Sequence, residues 1–281
     1  MLVVPSENQL HFWALDRNGR ASLGTPADIE RHLTIFENTF ASKTGLQLYL
    51  VIAELDCDNP FPSWVYSTVS SKAYKSMHLG GSGQDYLLST TNIEEKLIHL
   101  GKILERLEIR NLIIHAQHFQ YKRKYLAQMF SDCLPNAKIL IENEGLGNNW
   151  GSRIDELLTL FQECPDFGLC LDICHVAETG IHRLNEFFEE KELCSRIEEV
   201  SASYCPRPAG SELIDPYEHA GFFGYRPNHA LFTLSNKALS EQAFNLIDQL
   251  PIVLEGVVPK EDTAHELLIT ELKYFEQRGG Y

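Results

Sequence analysis

Apolar positions in the second half of the chain follow two alternating rhythms. "KILIENE" (138–144), "FGLCLDICH" (167–175), "EEVSASYC" (198–205) and "PIVLEGV" (251–257) are short, nearly continuous apolar runs. Such runs form strands covered on both faces. Between them, "SRIDELLTLFQEC" (152–164) repeats its apolar residues at helical spacing through Ile154, Leu157, Leu158 and Phe161. "IHRLNEFFEEKELCSRI" (181–197) reads as helix, "SNKALSEQAFNLIDQL" (235–250) as a helix capped by Ser235, and "KEDTAHELLITELKYFEQRGG" (260–280) as a closing helix. The first half repeats the alternation more faintly. "LVV" (2–4), "LQLYLVIAEL" (46–55), "KAYKSMHLGG" (72–81) and "RNLIIHAQ" (110–117) are the strand candidates, with helices over 27–43, 91–108 and 121–133.

Eight strands with mostly helical connections predict a (β/α)8 TIM barrel, α/β in class, as one domain over residues 1–281. A doubly wound open sheet is the alternative, but no Gly-rich dinucleotide fingerprint follows the first strand. The connections 56–72 and 203–234 are long. Loops of that length often serve function. The second carries Phe222, Phe223 and Tyr225 with Arg207 and Arg226, a mixture suited to a cover over a substrate.

The strand ends share a second pattern. His78, His115, Glu142, Asp172 and Glu255 stand at the C-terminal ends of five candidate strands, and His175 follows Asp172 by three residues. In a parallel barrel those ends meet at one mouth. Acids and imidazoles gathered there would repel or lose solvation unless a cation neutralised them, and they are suitable ligands for Zn, Mn or Fe. Taken singly, each has a plainer reading as a hydrogen-bonded strand-end residue. Asp172 inside an apolar run is the most informative, because it needs a partner. Cys170 and Cys174 flank it and could be soft ligands, with buried small apolar residues as the alternative. Asn143 and Glu144 are candidates for a hydrogen bond to substrate or for a loop role, His118 reads as a loop or helix-start residue, and His99 and His265 read as surface positions on helices.

Composition narrows the partners. A formal charge of -15 over 281 residues opposes general binding of a phosphate backbone, although a local basic pocket such as Lys122–Lys124 remains compatible with it. The seven cysteines, Cys57, Cys133, Cys164, Cys170, Cys174, Cys194 and Cys205, form no CxxC and read as reduced thiols. No apolar run approaches the length needed to span a bilayer, and the N-terminus lacks a signal-peptide pattern. The expectation is a cytoplasmic protein acting on a small molecule, with no membrane and no extended nucleic acid as partner.

The motifs also resemble a known family. "GLCLDICHVAETG", "ILIENEG", "KSMHL", "LIIHAQ" and "IVLEGVVP" are similar to the strand motifs of the xylose-isomerase-like TIM-barrel superfamily, and within it of the endonuclease IV (AP endonuclease family 2) branch. The similarity covers roughly residues 70–260. It implies that His78 and His115 bind one divalent metal, that Glu142 bridges it to a second, that Asp172 and Glu255 bind the second, and that His175 faces a third. Two departures stand out. The next strand, "EVSASYC", lacks the family's metal-binding His, and the later Asp-x-His is not intact. His219 in "IDPYEHAG" is the expected displaced ligand, and one or two ions are expected, zinc first.

Two chemistries share this scaffold. Phosphoesterases use the early histidines for an added metal, whereas sugar or sugar-phosphate isomerases and epimerases typically use one metal with carboxylates moving a proton. His78 and His115, with the missing strand-seven His, favour hydrolysis of a small-molecule phosphodiester; Glu142, Asp172 and Glu255 are the expected catalytic carboxylates. A cobamide-remodelling phosphodiesterase is compatible with the size and charge. The isomerase or epimerase is the alternative, and a degenerate barrel that only binds a ligand is a third reading.

Overall fold

The chain is represented by a computed structural model that describes residues 2–6, 13–15, 21–23, 25–40, 44–52, 55, 60–61, 63–80, 87–145, 149–210, 229–235, 241–260 and 262–278. Eight strands make one parallel sheet: β1 (Leu2–Pro5), β2 (Gly45–Val51), β3 (Tyr74–Gly80), β4 (Asn111–His115), β5 (Lys138–Glu142), β6 (Gly168–Asp172), β7 (Ile197–Ala202) and β8 (Pro251–Leu254). Consecutive strands from β2 to β8 are neighbours, β8 pairs with β1, and a parallel bridge from Val3 to Thr44 brings β1 beside the start of β2. The sheet therefore curls into a nearly closed (β/α)8 TIM barrel. A two-stranded ribbon, Trp13–Leu15 with Ala21–Leu23, lies outside it in the topology.

Helices fill the connections: α1 (Pro26–Phe40), α2 (Ser63–Ser70), α3 (Ile93–Leu107), α4 (Arg123–Cys133), α5 (Ile154–Glu163), α6 (Ile173–Thr179), α7 (Leu184–Glu189), α8 (Lys191–Cys194), α9 (Glu241–Ile247) and α10 (Glu266–Arg278). Each long helix turns one apolar stripe inward, as Leu97, Leu100, Ile103, Leu104 and Leu107 do on α3. Those stripes meet the outward residues of the strands, such as Leu112 and Ile114 on β4 and Ile139 and Ile141 on β5, in one continuous core. Burying one such side chain stabilises the fold by about 1.5–3 kcal/mol.

Strand side chains alternate between faces, so the other half of each strand points into the barrel. Ile113, Leu140 and Cys170 form a small separate apolar cluster there. Most of the remaining inward positions are polar: Gln47, Ser76 and Glu199 are buried alongside this cluster, and His78, His115, Glu142, Asp172 and Ser201 stand toward the strand ends. The pairing register carries His115 beside Glu142 and Asp172 beside Ser201.

Several elements differ from the sequence expectation. The strand expected over 167–175 ends at Asp172, whose carboxylate accepts the His175 N–H at 3.0 Å and caps α6; Gly180, at φ 59°, ends that helix. Cys174 therefore lies on a helix and does not share a strand face with Asp172. The loop expected over 56–72 contains α2, and the helix expected over 181–197 is two short helices. His265 lies just before α10 with its Nδ1 3.0 Å from Nε2 of the buried His32, so it is not a plain surface residue. The cover residues Phe222, Phe223, Tyr225 and Arg226, and the expected ligand His219, lie outside the described residues.

Candidate metal centre

The barrel mouth brings six of the seven expected ligands to one rim. His78 is the fifth residue of β3, His115 and Glu142 end β4 and β5, Asp172 ends β6, His175 sits on the first turn of α6, and Glu255 follows β8. His78 Nε2 lies 2.8 Å and His115 Nε2 3.7 Å from Glu142 Oε2. His175 Nδ1 is 3.9 Å from Glu142 Oε1 and 3.5 Å from Asp172 Oδ2. Two sets of ligand atoms, His78–His115–Glu142 and Glu142–Asp172–His175, therefore share Glu142. His219 is the seventh, and the described residues do not include it.

Neighbouring groups aim these side chains. Asn143 clamps β5 to the end of β6: its Oδ1 accepts the Asp172 N–H at 2.7 Å, and its Nδ2 donates to the Asp172 carbonyl at 3.0 Å. Its own carbonyl lies 2.8 Å from His175 Nδ1, which directs the Nε2 edge of that ring elsewhere. Glu144 accepts the Gln117 N–H at 3.1 Å and lies 3.3 Å from His115 Nδ1, the carboxylate–histidine arrangement that fixes a ligand ring. A Cβ on Gly145 would come within 2.7 Å of the His175 ring, so the bare backbone there makes room for it.

On the far side of the mouth the sequence reading missed a residue. His229 is placed by the next residue, Ala230, which exchanges both backbone hydrogen bonds with Tyr204 in an antiparallel bridge, and by the Val257 N–H donating to the His229 carbonyl at 3.1 Å. Its Nδ1 is 3.7 Å from Glu255 Oε2 and 2.7 Å from Ser203 Oγ, and it joins Asp172 and Cys174 in a third set of ligand atoms. His229 stands two residues after Pro227, so an Asp-x-His search tolerant of proline at its first position finds it. Ser201 occupies the register position beside Asp172 and donates to Glu255 Oε1 at 3.3 Å.

The electrostatics reflect burial of many charges together. Burial pushes Glu142 up to about 7 and Glu255 well above the usual carboxylate range. It pushes His78 and His229 down to about 4, so both rings are neutral near pH 7 with a lone pair to offer. Burial also opposes charge on His175, but Asp172 and Glu142 outweigh it and raise that imidazole to about 10. Among the described residues His78 Nε2, Glu142 Oε2 and Asp172 Oδ2 are buried without a hydrogen bond of acceptable geometry. Buried polar atoms left so are rare. Nitrogen and carboxylate donors converging in this way fit a divalent cation in place of hydrogen-bond partners.

The chain is a (β/α)8 TIM barrel with acids and imidazoles gathered at its C-terminal mouth. Comparison with known proteins gives the particular likeness. No family model matches the chain. It is 28% identical over 164 residues to a probable endonuclease 4 of Akkermansia muciniphila, covering 53% of this chain and 54% of that protein. It is 28% identical over 219 residues to a probable endonuclease 4 of Sulfurihydrogenibium, covering 67% and 74%. The match thus spans about half the length of the first of these relatives. Solved structures share the fold: a probable 3-DHS dehydratase of Bacillus anthracis (TM-score 0.63, 14% identity, 97% and 98% covered), D-allulose 3-epimerase of Methylomonas (0.60, 14%, 99% and 98%) and endonuclease IV of Thermus thermophilus (0.55, 17%, 87% and 92%).

Proposed function

We propose that the protein is a metal-dependent phosphoesterase that hydrolyses a small-molecule phosphodiester at this mouth. The observation that carries the reading is the pair His78 and His115 facing one oxygen of Glu142 while His175 lies near the other, with Asp172 beside His175. That arrangement suits two cations sharing Glu142. His78, His115 and Glu142 would hold one; Glu142, Asp172 and Glu255 would hold the other, with His175 and His229 beside them. Zinc suits this mixture of imidazole and carboxylate, with manganese or iron as alternatives. Bound there, the ions supply Lewis acidity to a phosphoryl oxygen and acidify the attacking water.

The chain's own groups have separable tasks. Glu142 offsets the charge of both ions. Asn143 fixes the Asp172 main chain and the His175 ring. His175, with its Nδ1 edge turned to the Asn143 carbonyl, presents Nε2 for an anionic oxygen of the substrate. The relatives named endonuclease 4 support phosphoester chemistry. The net charge of -15 supports a small substrate over a long DNA backbone, and a cobamide nucleotide loop is one such phosphodiester.

The epimerase fold neighbour keeps sugar isomerisation as the second reading. Metal-loaded protein is assayed against bis-p-nitrophenyl phosphate, an abasic DNA duplex and a panel of ketoses, with metal content measured by elemental analysis. The expected result is turnover of the small phosphodiester, lost in His78→Ala and His115→Ala. Ketose interconversion that survives both substitutions would replace the proposal with the second reading. Turnover of the duplex alone would keep the phosphoesterase and reject the small substrate.

A further inference from the structure

Below the mouth the barrel holds a carboxylate that this chemistry does not use. Glu199, on β7, is fully buried. A buried acid is costly unless its oxygens are met by donors, and a barrel interior is ordinarily filled by branched apolar side chains. Here strands β2, β3 and β6 supply partners. Gln47 Nε2 donates to Glu199 Oε1 at 3.0 Å, and the Tyr74 hydroxyl donates to Oε2. Asn111 Nδ2 in turn donates to the Tyr74 oxygen at 3.0 Å.

The cluster continues upward. The Cys170 thiol lies 3.7 Å from Glu199 Oε1 and 3.5 Å from Ser201 Oγ, and Ser201 donates to Glu255 Oε1 at 3.3 Å. All of these are inward positions of their strands, stacked from the floor to the rim. Proton counting gives the chain a direction. Ser201 has one hydroxyl proton, and Glu255 takes it. The contact between Cys170 and Ser201 then needs the single thiol proton, which Glu199 also attracts. How completely Gln47 and Tyr74 satisfy Glu199 thus decides where the thiol proton points, and that decides how firmly Ser201 is held toward Glu255.

We propose that Glu199 is a positioning residue that acts through Cys170 and Ser201 to set the direction in which Glu255 presents its carboxylate to the cation. The inference rests on the metal-centre reading above. Glu199→Gln is the informative change, because it keeps the volume but replaces one acceptor oxygen with a donor.

Two measurements on the full chain test it. Zn2+ affinity is measured by competition with a chromogenic chelator for wild type, Glu199→Gln, Ser201→Ala and the double variant. The S–H stretching band of Cys170, assigned by its loss in Cys170→Ala, is followed by infrared spectroscopy in metal-free protein, adding Glu255→Ala. Each single variant is expected to weaken Zn2+ binding about 10–100-fold, the range for groups that orient a ligand. The double variant should be no weaker than the worse single, since both act along one path. The Cys170 band should shift in Glu199→Gln, Ser201→Ala and Glu255→Ala. Unchanged affinity in Glu199→Gln, additive losses in the double, or a band indifferent to Glu255 would each overturn the proposal. A wild type that binds no Zn2+ would sink the metal centre by itself, and the band would still decide the connection: a shift in all three variants upholds it, and no shift removes it.

Discussion

The two sides of the mouth solve the same problem differently. From β3 to β6, successive strands deliver His78, His115, Glu142 and Asp172, and each of the four has a buried polar atom that no hydrogen bond satisfies. From β7 to β8, the strand ends deliver two serines and Glu255, and the imidazole comes from a connection as His229. That side is bonded to itself, Ser201 to Glu255 and Ser203 to His229. Buried ligand atoms without a hydrogen bond suit a cation. Donors already paired can stand without one. On the proposed reading, the first side holds the tighter ion and the second side the weaker or adjustable one.

Four changes would sharpen or break this contrast. Glu142→Ala removes the acid shared by both ligand sets, so turnover should fall by well over the ~100-fold typical of a lost orienting group, with metal content falling too. Full turnover with full metal content, read by assay and elemental analysis, would refute the shared role. His229→Ala should cost less, about 10–100-fold in turnover, while leaving the stoichiometry of the tightest ion intact by the same analysis. Ser201→His puts an imidazole beside Asp172 and Glu255; metal titration should then show tighter binding of a second ion, and no gain would mean that the serine side takes no ion.

The smallest effect concerns pH. Burial raises Glu199 to about 7 from the ordinary 4.5. A carboxyl raised on folding favours the folded state below its unfolded value and loses that contribution as pH rises through the folded one. The melting temperature of metal-free wild type relative to Glu199→Gln should therefore decline from about pH 4.5 to about pH 7 and then level off. A gap that stays constant over this window would mean that Glu199 is already charged throughout it.

Much of this architecture is written in alternation. On β4, β5 and β6 the odd and even positions separate an outer apolar set from an inner one that ends in His115, Glu142 and Asp172, and period-two reading recovers that directly. What was illegible depended on less regular signals. Helix α2, "SWVYSTVS", is rich in β-branched and aromatic residues of low helix propensity, and only Val65 and Val69, one turn apart and buried, reveal its inner face. The strand misread past Asp172 hid a capped helix, because Ile173, Cys174 and Val176 continue the apolar run; Asp172 and Gly180 were the punctuation. His229 arrives on a long connection without periodicity, and its place depends on the Tyr204–Ala230 bridge, a contact that spacing alone does not disclose.

The small apolar cluster of Ile113, Leu140 and Cys170 shares the barrel interior with Glu199, which pairs in register with Cys170. In such a packed interior fields are little screened compared with water. The negative charge on Glu142 already makes Glu199 harder to ionise. Neutralising the rim would therefore loosen the proton on Glu199, so that the arrival of a cation is registered as acid released deeper in the barrel.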